Sequence, residues 1–553
     1  MLASILALAC LQGPVVINEF SYDDSGTDDR EYIEVYNPSS AAISLAGWKV
    51  ESRDANGTTA SYTLPATASV PSQGFLTIGS GAISGIGVSI GSQDLFPNDN
   101  DGLYLVDTTG AVIDAVIYET NKGKWPAAAP YLRGEGVWGN HALIDNFDLS
   151  WQLPRDGLSF NNSRAFHLRP WTPGKTNRIA SAIPYADNFD AGIVGSDVTG
   201  WAGSFRHPKY IDPTVADADN PNAITASPQG GKAAIFWDNS GGGNAHVYLS
   251  DWSRDLVVEA YVYFDAKLEA TGYQEAWSVG IQGCCGTYYN LPDPVNGGAN
   301  GNTGISATFI VNDTEAALYL IDHNDGASGA TAATNEVVLG KIVLKAGIDD
   351  GWKRLRLSVS GNQAELFFGG TYGCGDGQRL AGTVSAPAFG GVYVGYREYI
   401  LDNKTTRPFT CDQMDIHVPT TSLSTYGTAK ATTVGTPEIG ANGQPVIGYM
   451  GFAITGDKLV PAQPALVLLG AQKINVDLGP VGGQSGAFLL TAPLLIGTVL
   501  ADAQGQASLP VPIPCDKGLL GVNVLWQILD VDPALAIKLP FGTSMGLETK
   551  LGN

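Results

Sequence analysis

Short runs in which apolar and polar residues alternate, each bounded by a turn signal, constrain this fold most strongly. Such runs occupy Leu256–Phe264 and Trp352–Val359. Side chains of a β-strand point to opposite faces in turn, so a period of two indicates a strand with one buried face. Gly361-Asn362 then separates the second run from Ala364–Phe368, which predicts an antiparallel hairpin. Because stretches of helical period are absent, we predict an all-β fold of consecutive antiparallel β-sandwiches.

The chain is too long for a single hydrophobic core. A chain of 553 residues is expected to divide into several domains. Two short stretches are typical of linkers: Arg178–Pro184, and Thr420–Thr433, which is rich in Thr, Ser and Ala. We therefore predict domains at residues 14–178, 185–420 and 426–553.

The first domain is framed by two segments far apart in the chain, Val15–Pro38 and Trp171–Asn177. In the first of them, Ile33 and Val35 point to one face of a strand that ends at the turn signal Asn37-Pro38. Three further segments follow in order: Leu45–Trp48, Asp101–Leu105 and Val112–Tyr118. This order resembles the lamin-tail domain, an immunoglobulin-like sandwich, in the form found on exported bacterial proteins. The resemblance covers residues 14–178 and implies a fold and a compartment, but no ligand.

Residues 1–13 are apolar and contain Ala7-Leu8-Ala9, a small-x-small pattern of the kind that signal peptidase cleaves. We predict a signal peptide here; an ordinary first strand is the alternative, because positive residues near Met1 are lacking. Ala7–Cys10 is also similar to a lipoprotein box, with Ala7 where Leu is usual. Later apolar runs are too short to span a bilayer. We expect a secreted or cell-surface protein without a transmembrane segment.

The middle domain opens with Asp187-Asn188-Phe189-Asp190 and closes with an acidic strand at Cys411–Val418. With the hairpin that follows Trp352, these segments resemble a concanavalin-like, laminin-G-type jelly roll over residues 185–420. The resemblance implies a structural Ca²⁺ ion where the first and last strands meet, and its ligands would be Asp187, Asp190, Asp412 and Asp415. Ca²⁺ takes six to eight oxygen ligands and favours carboxylates. The alternative is that these acids cap strand ends or face solvent.

Four cysteines fall in this middle domain: Cys284, Cys285, Cys374 and Cys411. An exported chain meets an oxidising compartment, and four cysteines allow three connectivities. A bond between adjacent cysteines needs a strained peptide link, so we favour bonds from Cys284 or Cys285 to Cys374 and Cys411. A zinc site is the alternative, but the histidines lack metal-ligand spacing.

The last domain, residues 426–553, contains strand-like runs such as Ala465–Gly470 and Gly521–Asp530. It resembles the small C-terminal β-domain of exported multidomain bacterial proteins. Domains of that kind commonly carry a cysteine pair. Here Cys515 is alone, which leaves it without a predicted partner.

The net charge and the absence of catalytic motifs argue against nucleic-acid binding and against several classes of enzyme. Acidic residues outnumber basic ones by 54 to 31, and a net charge of −23 repels phosphate, so we expect no nucleic-acid partner. The sequence lacks a Gly-x-x-x-x-Gly-Lys-Ser/Thr phosphate loop, a His-Glu-x-x-His zinc motif and, between 185 and 420, a closely spaced glycosidase acid run. We predict a non-catalytic protein that binds or adheres to glycan or protein partners. The alternatives are a secreted hydrolase (a glycosidase or a nuclease) and a structural component of the cell envelope.

Aromatic residues of the middle domain are the candidates for sugar contacts. Trp277, Tyr288 and Tyr289 could stack on sugar rings, whereas large aromatic side chains more often lie in the core. Apart from the possible Ca²⁺ ion, we predict no cofactor.

Overall fold

The computed structural model describes most of the chain in two compact units. The residues that it describes are 15–23, 27–54, 56–98, 101–118, 149–153, 156–157, 166–177, 183–199, 201–203, 208–218, 220, 222–236, 247–248, 255–283, 304–322, 337–384, 391–398 and 408–553. The first unit comprises residues 1–353, 364–366 and 380–417, and the second comprises 354–363, 367–379 and 418–553. The predicted signal peptide, residues 1–13, lies outside the described residues.

The N-terminal part of the first unit is built from short strands. They are β1 (Val16–Ser21), β2 (Tyr32–Tyr36), β3 (Ile43–Ser44), β4 (Lys49–Asp54), β5 (Gly57–Thr63), β6 (Ser69–Val70), β7 (Phe75–Ser80), β8 (Val88–Gly91), β9 (Asp101–Val106), β10 (Val112–Tyr118), β11 (Leu149–Gln152) and β12 (His167–Pro170). A six-stranded sheet has the order β12-β11-β1-β2-β7-β8, and a four-stranded sheet has the order β10-β9-β4-β5. Strands β3 and β6 pair with each other, and β8 runs parallel to β7.

The core of this part follows the strand alternation seen in the sequence. Ile33 and Val35 of β2 are fully buried, as predicted, and they share one apolar cluster with Phe20, Leu103 and Val116. Strand β1 lies inside the six-stranded sheet, between β2 and β11. The first strand is therefore held by a strand that comes more than a hundred residues later in the chain, as the two framing segments suggested.

The next strands form two larger sheets. They are β13 (Tyr185–Asp187), β14 (Ala202–Gly203), β15 (Lys209–Ile211), β16 (Ala233–Phe236), β17 (Val247–Tyr248), β18 (Leu256–Phe264), β19 (Gln274–Gly283), β20 (Ile305–Asn312), β21 (Ala316–Asp322), β22 (Val337–Leu344), β23 (Gly351–Ser360), β24 (Gln363–Phe368), β25 (Gln378–Thr383), β26 (Gly391–Glu398) and β27 (Phe409–His417). An eight-stranded sheet has the order β15-β16-β27-β18-β23-β24-β25, with β13 also pairing with β27. A seven-stranded sheet has the order β14-β17-β26-β19-β20-β21-β22.

An aromatic cluster joins the two larger sheets. The ring of Trp277, on β19 of the seven-stranded sheet, lies 5.1 Å from those of Phe264 and Phe409, on β18 and β27 of the eight-stranded sheet. Trp277 is only 1% exposed. Burying rings of this size is among the largest apolar contributions that a core can contain. Of the two roles weighed for Trp277, the structure therefore shows the core role.

The second unit is built around the C-terminal strands. They are β28 (Ser422–Tyr426), β29 (Glu438–Ala441), β30 (Ala453–Asp457), β31 (Pro464–Gly470), β32 (Lys473–Asp477), β33 (Phe488–Thr491), β34 (Leu495–Leu500), β35 (Ala507–Pro510), β36 (Asn523–Val531) and β37 (Phe541–Lys550). A five-stranded sheet has the order β28-β37-β36-β31-β34, a three-stranded sheet has the order β29-β30-β35, and β32 pairs with β33. The core of this unit includes Phe452, Trp526 and Ile528, and it also takes in Phe367 and Cys374.

The linker predicted at Thr420–Thr433 is wrong. Ser422–Tyr426 within it forms β28, which pairs along its length with the chain's last strand, β37. A segment rich in Thr, Ser and Ala is typical of a linker, but Thr also favours strands. Strand β28 is an edge strand, where Ser and Thr hydroxyls can face water. Of the other predicted linker, Arg178–Pro184, only residues 183 and 184 are described.

The all-β prediction is confirmed. Helix in the described residues is limited to short 3-10 turns such as Gly479–Val481 and Lys517–Leu519. Within the same residues, no helix has the length and apolar character needed to cross a membrane. The domain boundaries at 178–185 and 420–426 stay predictions. Residues 354–363 and 367–379, assigned from sequence to the middle domain, pack within the second unit.

Candidate functional site

The framing segments of the N-terminal part meet at a buried carboxylate, Glu19 on β1. Its Oε1 accepts hydrogen bonds from Ser150 Oγ (2.5 Å), from Gln152 Nε2 (3.2 Å) and from the Tyr32 hydroxyl. Thr172 of the closing segment donates its backbone N–H to Oε1 (2.8 Å) and its hydroxyl to Oε2 (2.7 Å). A single side chain on the first strand therefore binds groups from β2, β11 and the closing segment Trp171–Asn177.

A second buried carboxylate, Glu34, extends this polar network. Thr77 Oγ1 donates to Glu34 Oε2 (3.1 Å), and so does the backbone N–H of Gly174. Asn177 completes the closure by donating its side-chain amide to the Asn18 backbone carbonyl (2.7 Å). We call Glu19, Glu34 and their donors the closing network.

Burial dominates the electrostatics of these acids. It raises the pKa of Glu34 to about 8, and the nearby Glu19 charge adds to the effect while the Gly174 N–H opposes it. Burial likewise raises the pKa of Asp114 to about 7, although its Oδ2 accepts from the Ile17 N–H at 2.7 Å. These carboxyls are closed off from solvent and engaged by the protein's own donors. The arrangement suits a structural role, since a general acid or base must reach its substrate.

The acids proposed as calcium ligands lie on or next to β13 and β27, the first and last strands of residues 185–417. Strand β13 pairs antiparallel with β27, so the predicted meeting of these strands is confirmed. Asp187 Oδ1 accepts from the Phe189 N–H (2.7 Å), Asp190 Oδ1 from the Lys232 N–H (3.0 Å), and Asp412 Oδ1 from the Gln413 N–H (2.8 Å). Burial raises the pKa of Asp412, and the charge of Asp190 contributes.

The strand register separates these acids. Asp187 stands opposite Met414, which is fully buried, whereas Asp415 stands opposite Ala186. Residues directly opposite in an antiparallel pair share a face, and the face alternates along a strand. Asp187 and Asp415 consequently point to opposite faces of the sheet. Among the described residues, no three His, Cys, Asp or Glu side chains are placed to hold a metal ion. The register therefore keeps Asp187 and Asp415 apart, and the calcium site at the four acids stays a prediction.

The disulfide of the described residues joins Cys374 to Cys515, across 141 residues and with Cα atoms 5.8 Å apart. Sequence analysis left Cys515 without a partner and paired Cys374 inside the middle domain, and both expectations were wrong. The reason is that residues 367–379 pack with the C-terminal strands, where Cys374 joins the same apolar cluster as Val446 and Ile447. A link between two such segments has no local sequence signal.

Among the described residues, Cys411 is a free thiol. It lies on β27 between Ala234 of β16 and Val262 of β18, with no exposed surface. Burial raises the pKa of this thiol, and the charges of Asp412 and Asp187 add to the effect, so the reactive thiolate is suppressed. Cys284 and Cys285 lie outside the described residues.

Tyr263 and Trp352 form a partly exposed ring pair on the first unit. Their ring centroids are 5.7 Å apart, and the planes meet at 76°. Both side chains are half-buried, and Trp352 Nε1 donates to the Thr225 backbone carbonyl at 2.8 Å. This hydrogen bond fixes the indole, while each ring keeps surface toward solvent. We call Tyr263 and Trp352 the aromatic platform.

Two carboxylates accompany the aromatic platform. Burial raises the pKa of Tyr263, and the charges of Asp265 and Asp350 add to the effect. Asp350 is held by the Ala266 N–H (2.7 Å) and by the Gly347 N–H (2.6 Å). A rigid pair of rings next to anchored hydrogen-bond acceptors can bind a molecule that has an apolar face and hydroxyl edges.

Sequence analysis missed this platform although the signal was present. Val258, Ala260, Val262 and Phe264 of β18 are buried, and strand alternation therefore turns Tyr263 outward. Parity gives no such signal for Trp352, because Arg354 and Arg356 share its face of β23 and are buried. Tyr288 and Tyr289, named earlier as candidates, lie outside the described residues.

Comparison with known proteins gives one family match. The model of the Lamin Tail Domain family matches residues 11–120, which agrees with the resemblance in the N-terminal part. The match covers a fifth of the chain and concerns that part alone. Comparison with curated protein sequences gives no match.

Solved structures that resemble the chain include lectin-like domains. The exoplasmic/lumenal domain of VIP36 in its Ca²⁺/Man3GlcNAc-bound form has a TM-score of 0.26 and 9% identity, over 42% of this chain and 90% of that one. The legume lectin-like domain from Entamoeba histolytica has a TM-score of 0.24 and 9% identity, over 38% and 89%. The CBM2 module of the evolved Dit of Lactobacillus casei BL23 phage J-1 has a TM-score of 0.24 and 12% identity, over 42% and 93%. Similarity at this level carries no argument about function.

Proposed function

We propose that this is an exported, non-catalytic binding protein whose first unit binds a glycan at the aromatic platform. The observation that carries the proposal is the pairing of Tyr263 and Trp352 on the outward face of the eight-stranded sheet. Export is inferred from the apolar residues 1–13.

The chemistry of the platform suits a sugar. A pyranose ring has one face of C–H bonds, which packs on an aromatic ring, and an edge of hydroxyls, which donate to carboxylates. Tyr263 and Trp352 supply the rings, and Asp265 and Asp350, each two residues from one of the rings in sequence, supply carboxylate acceptors. The backbone bonds to Asp350 and the Thr225 bond to Trp352 hold these groups in place, which lowers the entropy lost on binding.

The buried acids favour binding over hydrolysis. Glycoside hydrolysis needs two carboxyl groups facing one bond in an accessible cleft. Glu19, Glu34 and Asp114 are buried and occupied by internal donors, so none of them can serve. The net charge of −23 disfavours a nuclease, because a phosphate backbone would be repelled.

A glycan array probed with the full chain, followed by calorimetric titration of each hit, tests the proposal. We expect Trp352→Ala to weaken binding about tenfold, or ~1.4 kcal/mol, because the stacking surface is lost. Trp352→Phe should retain most of the affinity, since the ring remains. The matched control is Tyr273→Ala, which removes another half-buried tyrosine of the same unit.

Two results would overturn the proposal. One is an array on which the folded chain binds no glycan. The other is a hit whose affinity is the same for the parent and for Trp352→Ala, which would place the sugar elsewhere.

A further inference from the structure

Strand β34 is an unpaired edge of the five-stranded sheet. It is the last strand in the order β28-β37-β36-β31-β34, and among the described strands it pairs with β31 alone. Residues 418–553 are described without a gap, so no other strand of this range covers its outer edge. An uncovered edge presents a row of backbone N–H and C=O groups that can pair with another strand.

The side chains of β34 are apolar and unusually exposed. Gly497 and Val499 stand opposite the buried Val467 and Ala465 of β31, so they face the core. Ile496, Thr498 and Leu500 point the other way. Ile496 is 57% exposed and Leu500 is 69% exposed. An apolar strip on a strand that also has a free edge is typical of an interaction surface.

The usual protection of edge strands is lacking here. Proteins commonly blunt an edge with lysine, proline or a bulge. The sequence Leu495-Ile496-Gly497-Thr498-Val499-Leu500 contains neither lysine nor proline, and its pairing with β31 runs without a register shift. In addition, residues 478–501 contain no charged side chain, in a chain whose net charge is −23. A second copy of so acidic a chain can approach without repulsion only at an uncharged surface.

We propose that two copies of this chain associate by antiparallel pairing of β34 with β34, on a two-fold axis at Thr498. With a two-fold axis perpendicular to the sheet, the cores of both copies lie on the same side of the joined sheet. Each residue must then pair with one that faces the same side, so even-numbered residues pair with even-numbered ones and odd with odd. Centring on Thr498 meets this condition. It places Ile496 of each copy opposite Leu500 of the other, and it places the two Thr498 residues opposite each other.

This register is self-complementary. Each exposed Ile496 is covered by an exposed Leu500 at the roughly 5 Å spacing of opposing residues. Thr498 meets itself, and Thr–Thr is a favourable cross-strand pair. A single strand pair buries less than the roughly 1,600 Å² of a standard interface. We therefore expect a dimer that dissociates on dilution.

Cysteine scanning of the full chain tests both the pairing and its centre. Thr498→Cys should give a disulfide-linked dimer under mild oxidation, because opposing Cα atoms fall within disulfide range. Ile496→Cys alone should not cross-link, since two copies of that position lie about 13 Å apart along the paired strands. Combining Ile496→Cys with Leu500→Cys should restore the cross-link.

Analytical ultracentrifugation over a concentration series supplies the second measurement. The parent should shift toward a dimer as concentration rises, and Ile496→Lys should stay monomeric. Met450→Lys is the matched control, because Met450 is 63% exposed in the same unit but lies outside β34, and this variant should dimerise like the parent. A parent that is monomeric throughout, or cross-linking that is equal for Thr498→Cys and Ile496→Cys, would overturn the proposal. A dimer that persists in Ile496→Lys would overturn it as well. The outer edge of β34 would then bind a strand of another protein or remain without a partner.

Discussion

Glu19 and Glu34 stand directly opposite each other on β1 and β2, and neither side chain is exposed to solvent. Opposing side chains in an antiparallel pair are only about 5 Å apart, so two ionised carboxylates at this position would repel each other. The donors of the closing network offset part of that repulsion. The stability of the N-terminal part should consequently depend on pH and on each of these donors.

The first prediction concerns pH. Burial raises the pKa of Glu34, and of Glu31, from 4.5 to about 8. Between pH 4.5 and about pH 8 these two carboxyl groups are therefore protonated in the folded state and ionised in the unfolded state. The contribution of these two groups to the free energy of unfolding should therefore be greatest below about pH 4.5. It should fall as the pH rises toward 8. Glu34→Gln should flatten this slope in urea unfolding at pH 5.5, 7 and 8.5. Glu438→Gln, at an exposed position, should leave the slope unchanged.

The second prediction concerns the closing segment. Thr172→Val removes the hydroxyl that donates to Glu19 Oε2 and leaves a buried carboxylate short of one partner. We expect a loss of about 1–3 kcal/mol in the free energy of unfolding. Thr176→Val is the control, because its hydroxyl bonds to Asp156 in an exposed position and should matter little. Equal effects of the two substitutions would contradict the role given to Thr172.

The third prediction concerns the disulfide. Peptide mapping without reduction should recover Cys374 linked to Cys515, while Cys411 reacts with alkylating reagents only after unfolding. Replacing Cys374 and Cys515 by serine should lower the stability of the second unit by about 2–4 kcal/mol, because the bond constrains the unfolded chain. Recovery of Cys374 bonded to Cys284 or Cys285 would contradict the pairing.

The fourth prediction separates two roles for Asp412. Its carboxylate is buried near Asp190, and burial raises its pKa. Asp412→Asn removes a buried charge and keeps the shape, so melting temperature at neutral pH should stay the same or rise. At a calcium site the same substitution would lower it in the presence of Ca²⁺. We also expect equal melting temperatures of the parent in calcium and in chelator. A melting temperature that is higher in calcium than in chelator, with a difference that Asp412→Asn abolishes, would instead support the calcium site.

Local pattern predicted the strands well. The alternation of residues 256–264 predicts a strand, and Leu256–Phe264 forms β18. The pairing of the first and last strands of residues 185–417 is also predicted from sequence, and β13 pairs with β27. In both cases the signal lies within the segment, because alternation reports which face of a strand is buried.

The site could be predicted less well, because it depends on register and on distant contacts. The separation of Asp187 from Asp415 follows from a one-residue offset between β13 and β27, which their spacing in sequence does not reveal. The bond from Cys374 to Cys515 depends on a hairpin that packs outside its sequence neighbourhood. Parity separates Tyr263 from the buried Val262 and Phe264, but Val257 and Glu259 have the same parity as Tyr263 and are buried, so the aromatic platform was only partly predictable.

The hydrogen bonds from Thr172 to Glu19 span 153 residues of chain, and this separation sets a condition on biosynthesis. At about 5–20 residues per second, a ribosome needs roughly 8–30 s to add the residues between them. Throughout that interval the first strand has been made, but Glu19 lacks the two hydrogen bonds from Thr172. Contacts so distant also slow folding, because a long loop must close before they form. The N-terminal part therefore cannot complete its closing network until residue 177 has been synthesised, and a truncated product that ends before Thr172 should be a substrate for chaperones and proteases.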